Sequence, residues 1–487
     1  MSDHYDVTII GAGISGLICA NYLARAGKRV LLLEQNHQPG GNMSGFRRRG
    51  FYFDAGDQSF ESLGIVFPIL RELGLYDPAD FTQLRYRMVS EDFDFYLDSI
   101  DGAEGALTEA FPRETAIPEI FEEVRRVSRF LDENYEPDSF PLLNDFRLRH
   151  LLPAAKWLPP LRKWLTFRYR EKISSRIADP SLRTWFTHIG YRRMPFLFFA
   201  GFWHIWINDY WYPNGGMQAF LNKLAASFEE HGGEIRYRTM VDHIDVDERS
   251  RRARAVVTTA GEEIAADQIV YSGDYKRFVG DIIDERHFKP RFVKKIREAD
   301  LTEEIFSVYL GLDMPPEELF GYVGTQHVFL FPNYDVIFPD ERSPRDVHSR
   351  MWVALNVFHG ENDDAAPEGK STLVLQTYSS YRWEDYWHNA GDSDERREEY
   401  TRFKHEIAKE LIATAERLIP GLSERIEYLD AGTPLSLKRY TRNTDGSTGG
   451  WCYDDRVSPV YRSRGFNMFR TPFSNLHAAG HYALWPG

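Results

Sequence analysis

Apolar positions along the chain follow two periods, and each change from one to the other marks an element. Residues 6–10 (DVTII) are a short, unbroken, β-branched run, the pattern of a strand buried on both faces. Residues 17–26 repeat their apolar positions at helical spacing, and 29–33 return to a short apolar run that ends on Glu34. Farther on, 306–310 and 372–376 read as strands. Residues 394–419 read as a helix, with Phe403, Ile407, Leu411 and Ile412 on one stripe and a stop near Pro420-Gly421. Residues 91–211 are helical and aromatic in character, and 340–350 (DERSPRDVHSR) predict a polar surface loop. No repeat or low-complexity linker stands out. The nearest approach to a spanning segment, 194–207, is broken by His204 and falls short of the roughly 18–20 residues needed, so no membrane crossing is expected.

Between the first strand and helix stands Gly11-Ala12-Gly13-Ile14-Ser15-Gly16, and Glu34 follows 18 residues after Gly16. In the order strand, G-x-G-x-x-G, helix, strand, acid, each residue type has a reason. Gly11 permits the tight turn, Gly13 lets a pyrophosphate approach the backbone, and Gly16 lets helix pack on strand. The helix start offers N–H groups and a positive dipole end to the phosphates, and Glu34 suits the ribose hydroxyls. Lys28 and Arg29 precede Glu34, so a 2′-phosphate has no evident partner. The double glycine Gly40-Gly41 with Asn42, just past Glu34, gives an extended cofactor room beside the backbone and favours FAD over NAD.

With that double glycine the run resembles the flavin amine oxidase superfamily. Its continuation, Gly50-Phe51-Tyr52-Phe53-Asp54-Ala55-Gly56, resembles more narrowly the phytoene desaturase, carotenoid isomerase and retinol saturase branch. Similar elements recur at Tyr212-Pro213-Asn214-Gly215-Gly216-Met217, at Val241 with Ile244, at 266–274, at 366–370, at Thr433-Pro434 and at 475–480. The resemblance implies FAD held by Gly11, Ala12, Gly13, Ser15, Gly16, Glu34, Gly40, Gly41, Asn42, Gly56, Asp57, Val241, Gly480, His481 and Pro486, with Val241 lending backbone contacts to the adenine. It also implies an α/β fold: a discontinuous Rossmann-type FAD-binding domain with an α+β substrate domain that carries a helical, aromatic, membrane-facing part. Residues 1–90, 212–283 and 431–487 would build the first, 91–211 the helical region, and 284–430 the rest of the substrate domain. In the family a helix aimed at the flavin follows the terminal glycine-rich stretch. Here the sequence stops at Leu484-Trp485-Pro486-Gly487, so it is expected to continue in the natural protein.

Charge narrows the partners. Fifty-nine basic and 73 acidic side chains give −14, against the basic footprint of a nucleic-acid binder. Two cysteines, Cys19 and Cys452, exclude a disulfide scaffold and a cysteine-rich metal site. His477 and His481 lack an accompanying acid, so no metal is expected, and no Ser-His-Asp order suggests a hydrolase. Cys452 reads as packing rather than a flavin tether. Against the acidic background, 146–193 carry 12 Lys or Arg and only Glu171 and Asp179 as acids. Trp157, Leu158, Leu161, Trp164, Leu165, Phe167, Tyr169 and Trp185 are interleaved with those charges, a composition suited to the headgroup layer of an anionic leaflet. With no signal peptide visible at the start, the expectation is a cytoplasmic, peripherally membrane-associated protein.

The aromatic run from Phe196 to Trp206 leads into the Tyr212-Pro213 element and is expected to line a tunnel for a long apolar substrate. A flavin carries the hydride or electrons, so the protein positions carbon and excludes water. His204 and Asp209 are the nearest ionisable groups in sequence and stand as the catalytic candidates; Arg439, Tyr440 and Arg442 are candidates for orienting substrate. The reading is an FAD-dependent oxidoreductase that desaturates, saturates or isomerises an isoprenoid polyene. Alternatives are a flavin oxidase of another lipid, an amine or a porphyrinogen, and a non-enzymatic prenyl-lipid escort. The amine oxidase branch usually shows G-E-x-T where this chain has Gly480-His481-Tyr482-Ala483.

Overall fold

In the computed structural model, residues 4–134, 155–357, 364–383, 387, 394–454, 459 and 468–483 are described, with only the backbone of 394–396. Pro486, and the stretch of the basic segment before residue 155, lie outside them.

The strand Tyr5–Ile10 lies between Val30–Leu33 and Glu263–Tyr271, parallel to both, with Ile9 opposite Leu32 and Val270. Ile9, Leu31 and Leu32 are buried, which is why these runs are apolar without alternation. Glu234–Arg236 extends the parallel sheet on one side and Leu476–Ala478 adds a parallel strand to Glu263–Tyr271. Arg252–Thr258 and Val241–Asp247 continue it antiparallel. This sheet draws on three separated stretches of chain.

Helices Ile14–Arg25 and Met217–Glu230 pack together, pinned where the buried Asn21 side-chain amide donates to the Leu224 carbonyl at 2.9 Å. The second helix also clamps the double-glycine loop. The Gln218 side chain donates to the Pro39 carbonyl at 3.0 Å and accepts from the Gly45 N–H at 3.0 Å.

A second sheet runs in the order Ile426–Gly432, Glu304–Leu312, Ser371–Ser379, Val353–Asn356, His327–Leu330, Tyr86–Val89, Asp94–Tyr96. It is antiparallel except where Tyr86–Val89 meets His327–Leu330. Tyr86–Val89 falls before the expected boundary at residue 90, yet it hydrogen-bonds into this sheet. The helix Asp394–Ala415 covers one face with Phe403, Ile407 and Leu411; it stops short of the residue 419 that the spacing suggests.

The helical part gathers Ile117–Asn134, Leu158–Trp164, Phe167–Ser174, Pro180–His188 and Phe196–Asn208 around Trp164, Trp185 and Trp203, all fully buried. Trp164 and Trp185 therefore serve packing, although their composition pointed to a membrane surface. A bundle this small must fill its centre with its largest rings to bury enough apolar area. Leu158 is left as a large exposed apolar side chain at 65% accessibility.

Candidate active site

At the carboxyl end of the parallel strands, Gly11 adopts φ +100°, and a methyl on Gly16 would lie 2.0 Å from the Gly11 carbonyl oxygen. Those two positions close the turn. Gly13 differs: nothing lies within 4 Å of where its Cβ would be, and it begins the helix Ile14–Arg25 with no side chain capping the N–H groups. The turn therefore leaves open space in front of unpaired donors, the shape a pyrophosphate takes.

Glu34 is buried beside this turn. One oxygen accepts from the Ala12 N–H at 2.9 Å, the other from the Asn36 N–H at 2.8 Å and its side-chain amide at 2.9 Å. The Thr239 N–H donates to the Glu34 carbonyl, which brings the buried Val241, two residues on, to the same edge. The Gly40 N–H donates to the Ala12 carbonyl at 3.0 Å, and Gly13 and Gly40 form a parallel bridge. Gly41 lies 3.6 Å from the Gly13 Cα through its absent Cβ. The Asn42 carbonyl accepts from the Asp57 N–H, and a methyl on Gly56 would lie 2.5 Å from that carbonyl. Gly480 comes back to the same place, its absent Cβ 4.0 Å from the Ser15 hydroxyl. The described candidates for cofactor contact thus surround one cradle.

Buried polar atoms without partners lie beside it. Among the described residues His481 Nε2 has none, and burial pushes its pKa down to about 4; Arg442 Nε, on a side chain that reaches Met240, has none there either. The cradle's shape and these unpartnered polar atoms fit FAD: Glu34 would meet the ribose, the first turn of Ile14–Arg25 the pyrophosphate, and Gly40-Gly41 would give the cofactor room beside the backbone. Arg439, Tyr440 and Arg442 belong to this end: the Tyr440 carbonyl accepts from the Gln35 and Asn36 amides. Burial raises the Cys452 thiol to about 12, so it is protonated at neutral pH.

Beyond the cradle the helix Phe196–Asn208 divides its rings by face. Phe196, Phe199 and Trp203 fill the helical part, where Phe121 meets Trp203 at 5.1 Å. Phe198, Phe202 and Trp206, four residues apart, take another face: Phe198 meets Tyr453 at 5.7 Å, Phe202 meets Tyr191 at 6.3 Å, and Trp206 meets the strand residues Tyr86 and Phe329 at 5.8 and 5.4 Å. Tyr191 stacks on Tyr453 at 4.9 Å and reaches Tyr378 at 6.4 Å. Asp57, Glu61, Tyr191 and Tyr210 keep accessible surface although desolvation is the largest influence on the titration of each, so they face an internal space. Its walls are aromatic, with Asp57 and Glu61 at the cradle side.

The two catalytic candidates are otherwise engaged. His204 Nδ1 lies 2.8 Å from the Ser128 hydroxyl on Ile117–Asn134, and burial lowers its pKa. Its ring is turned into the helical part. Asp209 accepts from the Leu63 N–H at 2.6 Å and from the Trp211 indole at 2.8 Å, holding a turn in which Leu63 has φ +47°. Sequence reasoning missed Glu61, Tyr191 and Tyr453. Glu61 sits in a two-residue strand with no periodicity to read, and Tyr191 and Tyr453 are brought together from 262 residues apart.

A family profile for flavin containing amine oxidoreductase matches residues 14–482. The all-trans-retinol 13,14-reductase of Danio rerio is 24% identical over 517 residues, covering 98% of this chain and 82% of that protein. The carotenoid 3,4-desaturase of Haloarcula japonica is 26% identical over 480 residues, covering 94% of this chain and 90% of that one. A solved structure of wild-type putrescine oxidase bound to putrescine superposes with a TM-score of 0.62 at 15% identity, covering 99% of this chain and 94% of that chain, a likeness of fold.

Proposed function

The chain belongs to the flavin-containing amine oxidoreductase family and uses FAD, and from that premise we propose that its substrate is a long apolar isoprenoid or polyene. The observation that carries the reading is the ring stripe of Phe198, Phe202 and Trp206 facing Tyr191, Tyr453 and Tyr86 beside the cradle. An aromatic corridor of this kind binds an extended hydrocarbon by area and shape, with few polar demands. FAD, when bound, supplies a two-electron hydride acceptor or donor. The chain's own residues do the remainder: the rings align the carbon skeleton and exclude water, and the first turn of Ile14–Arg25 and Glu34 anchor the cofactor. The two relatives by their names reduce and desaturate, so the direction, or a net isomerisation, is left to the substrate assay.

Among the described residues no helix is long and apolar enough to cross a membrane. Leu158, with exposed Arg162, Lys163, Arg168 and Lys172 nearby in sequence, is the proposed contact with an anionic leaflet that supplies the substrate. Flotation with anionic vesicles, lost in Leu158→Glu and at high salt, supports that contact; no flotation at low salt overturns it.

The substrate reading is tested by mixing the FAD-loaded protein anaerobically with phytoene and, after chemical reduction, with all-trans-retinol. A change in flavin absorbance with either polyene is expected. Bleaching by putrescine and by neither polyene overturns the reading in favour of an amine.

A further inference from the structure

We propose that Glu61 exchanges the proton that accompanies hydride transfer at the flavin. The proposal rests on the reading that the internal space beside the cradle holds the reacting carbon chain.

Making a carbon–carbon double bond requires two departures. One C–H bond breaks and its hydrogen leaves with the electron pair, as hydride, to oxidised flavin. The C–H bond of the adjoining carbon breaks, its electron pair becomes the π bond, and its proton needs an acceptor. Saturation is the reverse, with the hydride coming from reduced flavin and the proton from an acid. Water is excluded from an aromatic corridor, so a side chain must hold that proton.

Most ionisable groups around the space are committed. Asp54 accepts from the Tyr52 and Tyr212 phenols and the Met217 N–H. Both Asp209 oxygens are used, as described above. Glu303 accepts from the Arg192 N–H at 3.1 Å with the guanidinium at 3.4 Å. His327 is neutral, its pKa driven down to about 3 by burial.

Glu61 is different. It sits opposite Tyr210 in the pairing of Phe60–Glu61 with Tyr210–Pro213. Tyr210 packs on Tyr86 at 5.1 Å and Tyr86 on Trp206, so Glu61 stands at the foot of the ring stripe. It has accessible surface toward the space, and its carboxylate is stabilised by its own backbone N–H and by no salt bridge among the described residues. The groups facing it are Asp57, Asp209 and the phenols of Tyr86, Tyr210 and Tyr453. Burial first, and then the charges of Asp209 and Asp57, push it up to about 7, so both protonation states are present at neutral pH.

The test is potentiometric and needs no substrate. If Glu61 lies at the flavin, reduction changes its proton affinity, and the midpoint potential of the FAD-loaded full chain bends against pH where it titrates. A bend near pH 7 is expected in the unaltered protein, and in Asp57→Asn, which removes one of the like charges, it should persist at a lower pH. It should vanish in Glu61→Gln and move in Glu61→Asp. The infrared carbonyl absorption of protonated carboxyls that is lost as pH rises through 7 should shrink by one component in Glu61→Gln, with the Glu303 component left in place. With phytoene as probe, single-turnover flavin reduction in Glu61→Gln should slow about 10²–10⁴-fold at unchanged FAD content. A bend retained unchanged in Glu61→Gln, or abolished by Asp57→Asn instead, overturns the proposal, as does an infrared difference between the unaltered protein and Glu61→Gln that holds no carboxyl component. A bend that depends on Glu61 in a protein inert to polyenes keeps the proton role and overturns the substrate reading.

Discussion

The Tyr212 phenol donates to Asp54 Oδ2 at 2.8 Å, joining two sequence elements 158 residues apart. The same carboxylate takes the Tyr52 phenol and the N–H of Met217, the first residue of the helix that clamps the double-glycine loop. Burial raises Asp54 to about 6, while these three donors pull it back toward ionisation. Asp54 thus ties the cradle's loop to the helix behind it.

Asp54→Ala leaves two phenols and an N–H buried without an acceptor. It is expected to lower stability by about 3–5 kcal/mol, and Tyr212→Phe by about 1–2 kcal/mol. Denaturant unfolding of both variants checks the ranking; equal losses would show that the Tyr212 bond carries the whole effect.

Gly13 and Gly16 predict opposite failures. Gly16→Ala puts a methyl 2.0 Å from the Gly11 oxygen and should unfold the turn, so stability and FAD are lost together. Gly13→Ala meets nothing within 4 Å among the described residues, so the melting temperature without FAD should stay within a degree or two of the parent's while FAD affinity falls at least about tenfold, or 1.4 kcal/mol. Calorimetric titration with FAD alongside thermal melts separates the two.

Stability should fall as pH rises from 6.5 to 8. In that window the titrating groups are acids raised by burial: Glu61, Glu303 and Glu410 to about 7, Glu304 to about 8. The native state then holds protons that the unfolded chain, with glutamates near 4.5, has released, so each rise in pH favours unfolding until these acids ionise. Histidines 327, 348 and 481, lowered to about 3, 3 and 4, destabilise only below their ordinary 6.5. Thermal melts of the FAD-free protein across this range should show the decline, and Glu304→Gln should flatten it.

His204→Ala removes the partner of the buried Ser128 hydroxyl and should cost about 1–3 kcal/mol. Flavin reduction by the responsive polyene should be unchanged. A slowing of tenfold or more at equal FAD content would return His204 to the chemistry.

The sequence by itself determined the nucleotide end. Glycine spacing, a helix without a capping side chain and Glu34 are local demands of one strand–turn–helix unit, and neighbouring residues meet them. It also determined that the chain had to close on itself, since the motifs at Asp54, Tyr212 and Gly480 make sense only around one cofactor. The tertiary structure alone decided which rings face the internal space and which acids there are left without a described side-chain partner. Phe198, Phe202 and Trp206 differ from Phe196, Phe199 and Trp203 only in the helix face they occupy, and with only His204 and Asn208 polar, both near its end, that helix carries no polar stripe along its length to announce its orientation. His204 and Asp209 looked available because their partners, Ser128 and the Leu63 turn, are far away in sequence. Glu61 gained its place because burial beside other acids sets its proton affinity, a property of surroundings that the chain acquires only once folded.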